Sequence, residues 1–391
     1  MADDLRTNLN FEDINHGLAR FRDNVILKSR EESRKIISTC IEKVILPVLT
    51  KIGEIEKRFH CSVPSSMNAS YFEGLKVSAK NEFELMVNLD HLTAFKSFDD
   101  LGNRESKYAC YGYLLCKHSY HNLSDVVVSP PPNCKHDKDD QVISALKVRK
   151  HFAELASQAC SHIKCDEGLQ VEAQFRDPYT VLKITMDDKA YYFELVPSLP
   201  FVNAWPPSAE DFGVRTNEWL TTDDVREIKQ MGYSVIPMIC PADPKNEALW
   251  RISFSKAEKY VMRYEDFGDP RGRRKQCSSF LKTIREANKE AMRPLVSYHL
   301  KTLVLNDCMK WPKDESWTHE LLSQRFVGLL WHLDDALERR KLPHFFIKKC
   351  NLLAPYDMVD LQELATKVKD IFNDIVVNPL TSSQLNIKQG H

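Results

Sequence analysis

The spacing of apolar residues changes character near residue 245, and that change limits the architecture more than any other feature of this 391-residue chain. Ahead of it, Leu169 to Phe175, Tyr179 to Met186 and Ala190 to Leu199 alternate with a period of two, as half-buried strands do. Asp187-Asp188-Lys189 reads as a hairpin turn, and Pro197 and Pro200 are expected to close the third strand. Beyond it the pattern is helical almost to the end, over 254–264, 276–290, 296–310, 317–340 and 358–375. The predicted fold class is α+β and bilobal, with a ligand cleft between the lobes. A mixed α/β lobe with a long N-terminal helix takes residues 1–215, and a helical C-terminal lobe takes 216–391.

The N-terminal helix is predicted over residues 10–59, because Ile37, Ile41, Val44, Val48 and Ile52 recur at three- and four-residue spacing. Pro47 lies inside it and predicts a kink or a junction. Residues 66–90 read as a loop and strands, and 144–164 as a helix. The stretch 100–143 is polar and irregular, and its S-P-P-P-N and K-H-D-K-D-D runs suggest an exposed loop.

A net charge of −1 excludes a chain-wide attraction for polyanions, so any nucleic-acid surface must be a local patch. No apolar run reaches the roughly 20 residues of a membrane span, and the N-terminus lacks the pattern of a secretory signal. Eleven cysteines, an odd number scattered from Cys40 to Cys350, predict reduced thiols in cytosol or nucleus. The group Cys110, Cys116, His118, His121, Cys134 and His136 contains no C-x-x-C pair, so thiols are favoured there over a structural zinc. A cytoplasmic location is expected.

Chemistry is concentrated in E-F-E. Glu82 and Glu84 stand two residues apart in an extended run, so their side chains leave one face. Ser70 lies twelve residues upstream. A loop that grips a triphosphate beside paired acids that hold divalent metals is the arrangement of nucleotidyl transferases; the plain alternative is a solvated strand face. Glu194, a lone acid within Y-Y-F-E-L-V, needs a partner or a role, or else faces outward.

Four stretches resemble the cyclic GMP-AMP synthase family and its Mab-twenty-one relatives, in the family's order, between about residues 60 and 353. Y-F-E-G-L-K-V-S-A-K-N-E-F-E-L-M is similar to the strand bearing the first two metal acids. W-R-I-S-F-S-K-A-E-K (Trp250 to Lys259) is similar to the start of the nucleobase-contacting helix. S-Y-H-L-K-T (Ser297 to Thr302) is similar to the helix over ATP, and H-F-F-I-K-K-C-N-L-L (His344 to Leu353) to the segment packing the C-terminal end.

The resemblance implies an enzyme that makes a cyclic dinucleotide from ATP and GTP with Mg²⁺ or Mn²⁺. It implies Glu82, Glu84 and Glu194 as the metal-binding catalytic acids. Ser70 and Asn68 fall on phosphate-side and GTP-side positions. Arg251, Ser253, Ser255 and Glu258 fall on base and ribose contacts, Lys282 on a phosphate lysine, and Ser297, Tyr298 and Lys301 on the helix that meets ATP. Each has a plain reading, helix-surface cation for Lys282 and Arg251 and core aromatic for Tyr298. The sequence departs from the family in two respects: its G-S turn is Ala69-Ser70 here, and the second and third acids are glutamates rather than aspartates, which adds a methylene of reach.

Between Glu258 and Lys282 stands only Cys277 and no histidine, so the zinc clamp of the DNA-sensing synthase is absent. The resemblance therefore implies a receptor for double-stranded RNA. Its candidate contacts are Arg20, Arg22, Lys28, Arg30, Arg34 and Lys35, with Arg271, Arg273, Arg274 and Lys275; Asp23, Glu31 and Glu32 interrupt the first group, and a solvated helix face is the alternative. The alternative function is a non-catalytic Mab-twenty-one scaffold or nucleotide-binding protein in development; a linear oligonucleotide synthase is a third.

Overall fold

Pro47 does not break the N-terminal helix. The structure, a computed structural model, describes residues 9–63, 81–92, 95–117, 123–214, 216–262 and 270–385. In it the α-helical segments Phe11–Phe21, Leu27–Cys40 and Leu46–Ile55 run end to end through π turns at Arg22–Ile26 and Ile41–Ile45, forming a spine. Asn10 caps the start, its side chain accepting from the Asp13 N–H at 3.2 Å. Proline lacks an N–H and crowds the carbonyl four residues back. The π turn just before Pro47 widens the helix there, and the Leu46 N–H donates to the Ile41 carbonyl, five residues back. Pro47 therefore stands at a junction, in the first turn of the segment Leu46–Ile55, and Ile37, Val44, Val48 and Ile52 are buried along the spine.

The strands are β1 (Cys61–Ser62), β2 (Glu82–Leu89), β3 (Phe95–Asp100), β4 (Tyr111–Lys117), β5 (Val127–Val128) and β6 (Asp140–Ile143), then β7 (Leu169–Arg176), β8 (Tyr179–Met186), β9 (Lys189–Phe201), β10 (Tyr233–Ile236) and β11 (Leu249–Ser253). They form one sheet with the path β1-β2-β9-β10-β11-β4-β6-β5; β3 adds to β4, and β7 reaches β9 through β8. β2 and β9 run parallel, while the other described pairings are antiparallel. The β8–β9 hairpin turns at Asp187 and Asp188, whose φ values of 50° and 61° are those of a two-residue turn that matches strand twist. The helix Ala145–His162 packs against both the spine segment Leu46–Ile55 and this hairpin layer.

Three expectations are corrected here. The stretch 100–143 is not an irregular loop: it contributes β4, β5 and β6 and the end of β3, and β4 is central, with Tyr113, Leu114 and Cys116 buried. Its polar residues serve as joints; Tyr113 donates to Asn133 Oδ1 at 2.9 Å, and Asp99 takes a bidentate Arg104. Pro197 and Pro200 do not close β9. Pro197 lies beyond the last β8 partner and pairs only with Val87, and Pro200 pairs only with Ser234, so each sits where one flank needs no N–H. Arg251 and Ser253 stand on β11, and the helix begins only at Ser255 (Ser255–Val261). β10 and β11 follow residue 215 and still belong to the sheet.

Gly232 makes the entry to β10 possible. It ends the helix Thr222–Met231 at φ 72°, and a Cβ there would stand 1.8 Å from the Phe201 carbonyl oxygen. All eleven cysteines are free thiols. Among the described residues, no helix is long and apolar enough to cross a membrane.

An aromatic seam joins the sheet to the C-terminal helices Pro270–Ala287, Ser297–Lys310, Leu322–Glu338 and Met358–Val377. Phe254, at the mouth of β11, stacks on Phe346 at 4.5 Å, and Trp205 and Phe212 close around the pair at 5.1 Å and 4.8 Å. Trp205 donates from Nε1 to the Ala209 carbonyl at 2.8 Å, which fixes the W-P-P turn against this cluster. Phe346 is fully enclosed, so its removal leaves a cavity that neighbouring rings cannot fill. Phe346→Ala is expected to cost about 3–5 kcal/mol in urea unfolding; a loss below about 1 kcal/mol would show that the seam does not depend on this ring.

Candidate active site

The register of β2 against β9 places Glu84 directly beside Glu194, and Glu82 beside Tyr192. Neighbouring strands lie about 4.8 Å apart, so in-register side chains leave adjacent backbones from one face. The opposite face is apolar: Phe83, Leu85 and Val87 of β2 meet Phe193 and Leu195 of β9, with Phe83 stacked on Phe193 at 4.8 Å. This packing holds the three acids on the solvent side, where Glu82 and Glu84 are exposed and Glu194 is half-buried. The Tyr179 phenol is held well above its usual range by burial and then by the charges of Glu84 and Glu194. Glu82 is met by Lys289, whose Nζ lies 3.5 Å from its carboxylate.

The acids share a face without sharing a point. Among the described residues, one group of three His, Cys, Asp or Glu side chains has ligand atoms all within 4.8 Å of one another, and it is Glu56, Asp125 and His151. That group is built on other elements and already has a cation at its centre. Arg58 donates to Glu56 and, at 2.7 and 2.9 Å, to both oxygens of Asp125, while His151 reaches Glu56. It ties the end of the spine to the helix Ala145–His162. The ligand atoms of Glu82, Glu84 and Glu194 do not all come within 4.8 Å of one another. Their all-oxygen donor set suits a hard cation such as Mg²⁺ or Mn²⁺.

A second constellation forms around Arg251. Its guanidinium lies 5.2 Å from the Tyr298 ring centre. The Tyr298 hydroxyl donates to Glu258 at 3.0 Å, and Lys301 donates to the other Glu258 oxygen at 2.6 Å. His344 completes the set. Its Nδ1 accepts from the Phe346 and Ile347 N–H groups at 3.1 and 3.0 Å, so its proton sits on Nε2 and is given to the Tyr298 oxygen at 2.7 Å. Burial drives His344 down to about 3, which keeps the ring neutral. Burial alone would lift Glu258, but the Lys301 ammonium and Tyr298 hydroxyl hold it below the usual carboxylate value.

Residues 71–264 match the Mab-21 protein nucleotidyltransferase domain, and residues 273–370 match the Mab-21 protein HhH/H2TH-like domain. The chain belongs to the Mab-twenty-one (Mab-21) family. It is thus a cyclic GMP-AMP synthase-like nucleotidyltransferase by family, with the bilobal fold of that family. The first matched stretch supplies Glu82, Glu84, Glu194, Arg251 and Glu258, and the second supplies Lys282, Ser297, Tyr298 and Lys301. The Mab-21 domains therefore meet through Glu258, Tyr298 and Lys301 at hydrogen-bond distance.

Ser253 and Ser255 flank Phe254, Lys282 is half-buried on Pro270–Ala287, and Ser297 opens the helix Ser297–Lys310. Asn68 and Ser70 lie outside the described residues, as do His118 and His121. The basic group after residue 270 is corrected in part. Arg274 is buried against Trp317 at 5.3 Å and bonded to Asp314 at 2.7 Å, and Lys275 is buried as well, so neither is a surface cation. Arg34 and Lys35 on the spine are exposed; the side chains of Lys28, Arg30 and Arg271 are outside the described set.

Sequence reasoning did not single out Tyr179, His344 or Lys289. Tyr179 and His344 stand within stretches read as strand and motif, where a polar tip among apolar neighbours is the available signal. Lys289 carried none. His344 also makes a pH test possible. Its folded pKa lies below the unfolded value of 6.5, so its contribution is complete above 6.5 and is lost as pH falls toward about 3. Unfolding free energy of the wild type should fall more steeply than that of His344→Gln between pH 6 and 4, by about 1.4 kcal/mol per pH unit. Parallel urea-unfolding profiles would contradict the neutral-ring assignment.

Proposed function

We propose that this protein joins ATP and GTP into a cyclic GMP-AMP-like dinucleotide, using Mg²⁺ or Mn²⁺ held by Glu82, Glu84 and Glu194, when double-stranded RNA engages it in the cytoplasm. The observation that carries the reading is the register that sets Glu84 beside Glu194 with Glu82 on the same face. Bound divalent metal supplies charge neutralisation at the phosphates and acidifies the attacking ribose hydroxyl. The residues of the chain do the positioning. Arg251 and Tyr298 form a flat cationic and aromatic wall suited to a purine, and Ser253 and Ser255 offer short hydroxyls beside it. Lys282, with Ser70 and Asn68, meets the triphosphate as charge and hydrogen-bond donors. Tyr298, Lys301 and Glu258 hold the two domains in register while this happens.

RNA activation rests on the candidates that are not buried, Arg20, Arg22, Arg34 and Lys35 of the spine with Arg273, because the buried Arg274 and Lys275 are removed from the set. A second reading, the non-catalytic Mab-21 scaffold, is favoured by one feature: Glu258, Tyr298, Lys301 and His344 hydrogen-bond to one another, as a structural joint would. The two readings separate in one experiment. Purified protein is incubated with labelled ATP and GTP, Mn²⁺ or Mg²⁺, and double-stranded RNA or DNA. The enzyme reading predicts a nuclease-resistant cyclic product that depends on RNA and falls at least a hundredfold in Glu84→Ala and Glu194→Ala. Nucleotide binding without product, equal in wild type and both variants, would establish the scaffold instead.

A further inference from the structure

Lys289 belongs to the helical domain, just past the helix Pro270–Ala287, yet its ammonium lies 3.5 Å from Glu82 on β2. Its backbone is not free to wander. The neighbouring Asn288 side chain donates to the Ile284 carbonyl at 2.8 Å and to Gln384 Oε1 at 2.6 Å, and the Met292 N–H donates to the Asn288 carbonyl at 2.8 Å. The base of the side chain is therefore fixed while the long arm can turn. A separation of 3.5 Å is longer than a well-formed charge-assisted hydrogen bond, and both side chains are partly exposed, 35% for Lys289 and 50% for Glu82. Such a contact is weak and quickly exchanged. Glu82 nevertheless stands on the same face as Glu84 and Glu194, where like charges gather and a cation is favoured.

We propose that Lys289 is an internal counterion for Glu82, displaced when a divalent cation loads the carboxylate face. The inference rests on the carboxylate reading above. It makes Lys289 a positioning residue: it competes with metal for Glu82. The contact also spans the two Mab-21 domains, so loading the metal loosens one tie between them.

The test is Mn²⁺ binding to the full chain without nucleotide, by electron paramagnetic resonance of free Mn²⁺ at low ionic strength. Lys289→Met should bind Mn²⁺ about two- to fivefold more tightly than wild type. In a Glu82→Gln background the same substitution should have no effect, because the partner is gone. Arg293→Met serves as a control for net charge, since Arg293 pairs with Glu290 instead. Unchanged or weaker binding in Lys289→Met overturns the proposal, and so does an equal gain in Arg293→Met. If wild type binds Mn²⁺ in a manner lost in Glu84→Ala while Lys289→Met changes nothing, the counterion fails and the carboxylate site stands. If no Mn²⁺ binding depends on Glu84 and Glu194, both fall.

Discussion

The parallel pairing of β2 with β9 is the constraint on which the rest depends. These strands are more than a hundred residues apart in the chain, and only their register decides which side chains meet. A slip of one residue would turn Glu84 into the apolar layer that holds Phe83 and Phe193. The stacked rings therefore do more than fill the core. Burying a glutamate in place of a phenylalanine is costly enough to forbid the slip, so core packing specifies the geometry of the acidic face. β9 is also the longest strand among the described residues, and its far end passes to β10, so the acidic face and the Arg251 strand belong to one sheet.

Around Glu258, a buried polar network plays the complementary part. A carboxylate as enclosed as Glu258 is tolerable because Lys301 neutralises it and Tyr298 fills its second oxygen. His344 closes the chain of donors, its orientation dictated by two backbone N–H groups that follow it in sequence. The aromatic seam around Phe254 and Phe346 excludes water from one side of this network and raises the cost of breaking it. The two Mab-21 domains are thus joined by a dry polar link and an aromatic one, with the solvated Glu82–Lys289 contact as a third and weaker tie.

Much of this was legible before any coordinates. The alternation around Glu194 placed β8 and β9, and the aspartates at 187 and 188 marked their turn because both tolerate positive φ. The helical half was found by its period, although Pro270–Ala287 begins six residues earlier than expected. What could not be read was long-range. β4 looked polar because its flanking loops are, and its own Y-G-Y-L-L-C-K lacks strict alternation since it is buried on both faces. The prolines of β9 looked like terminators because their tolerance depends on which flank has a partner. Arg274 and Lys275 looked like a surface patch because charge in sequence carries no sign of burial; only Trp317 and Asp314, some forty residues on, convert Arg274 into a core residue. For the site, residue types and spacing suggested Glu82 and Glu84, the family resemblance added Glu194, and the pairing register showed that Glu84 and Glu194 are neighbours.

The central claim is that Glu84 and Glu194 form one cation site. Anomalous diffraction from crystals grown with Mn²⁺ addresses it directly. The account predicts a peak within about 2.2 Å of carboxylate oxygens from both residues. A peak confined to Glu56, Asp125 and His151, with nothing between Glu84 and Glu194, would contradict it.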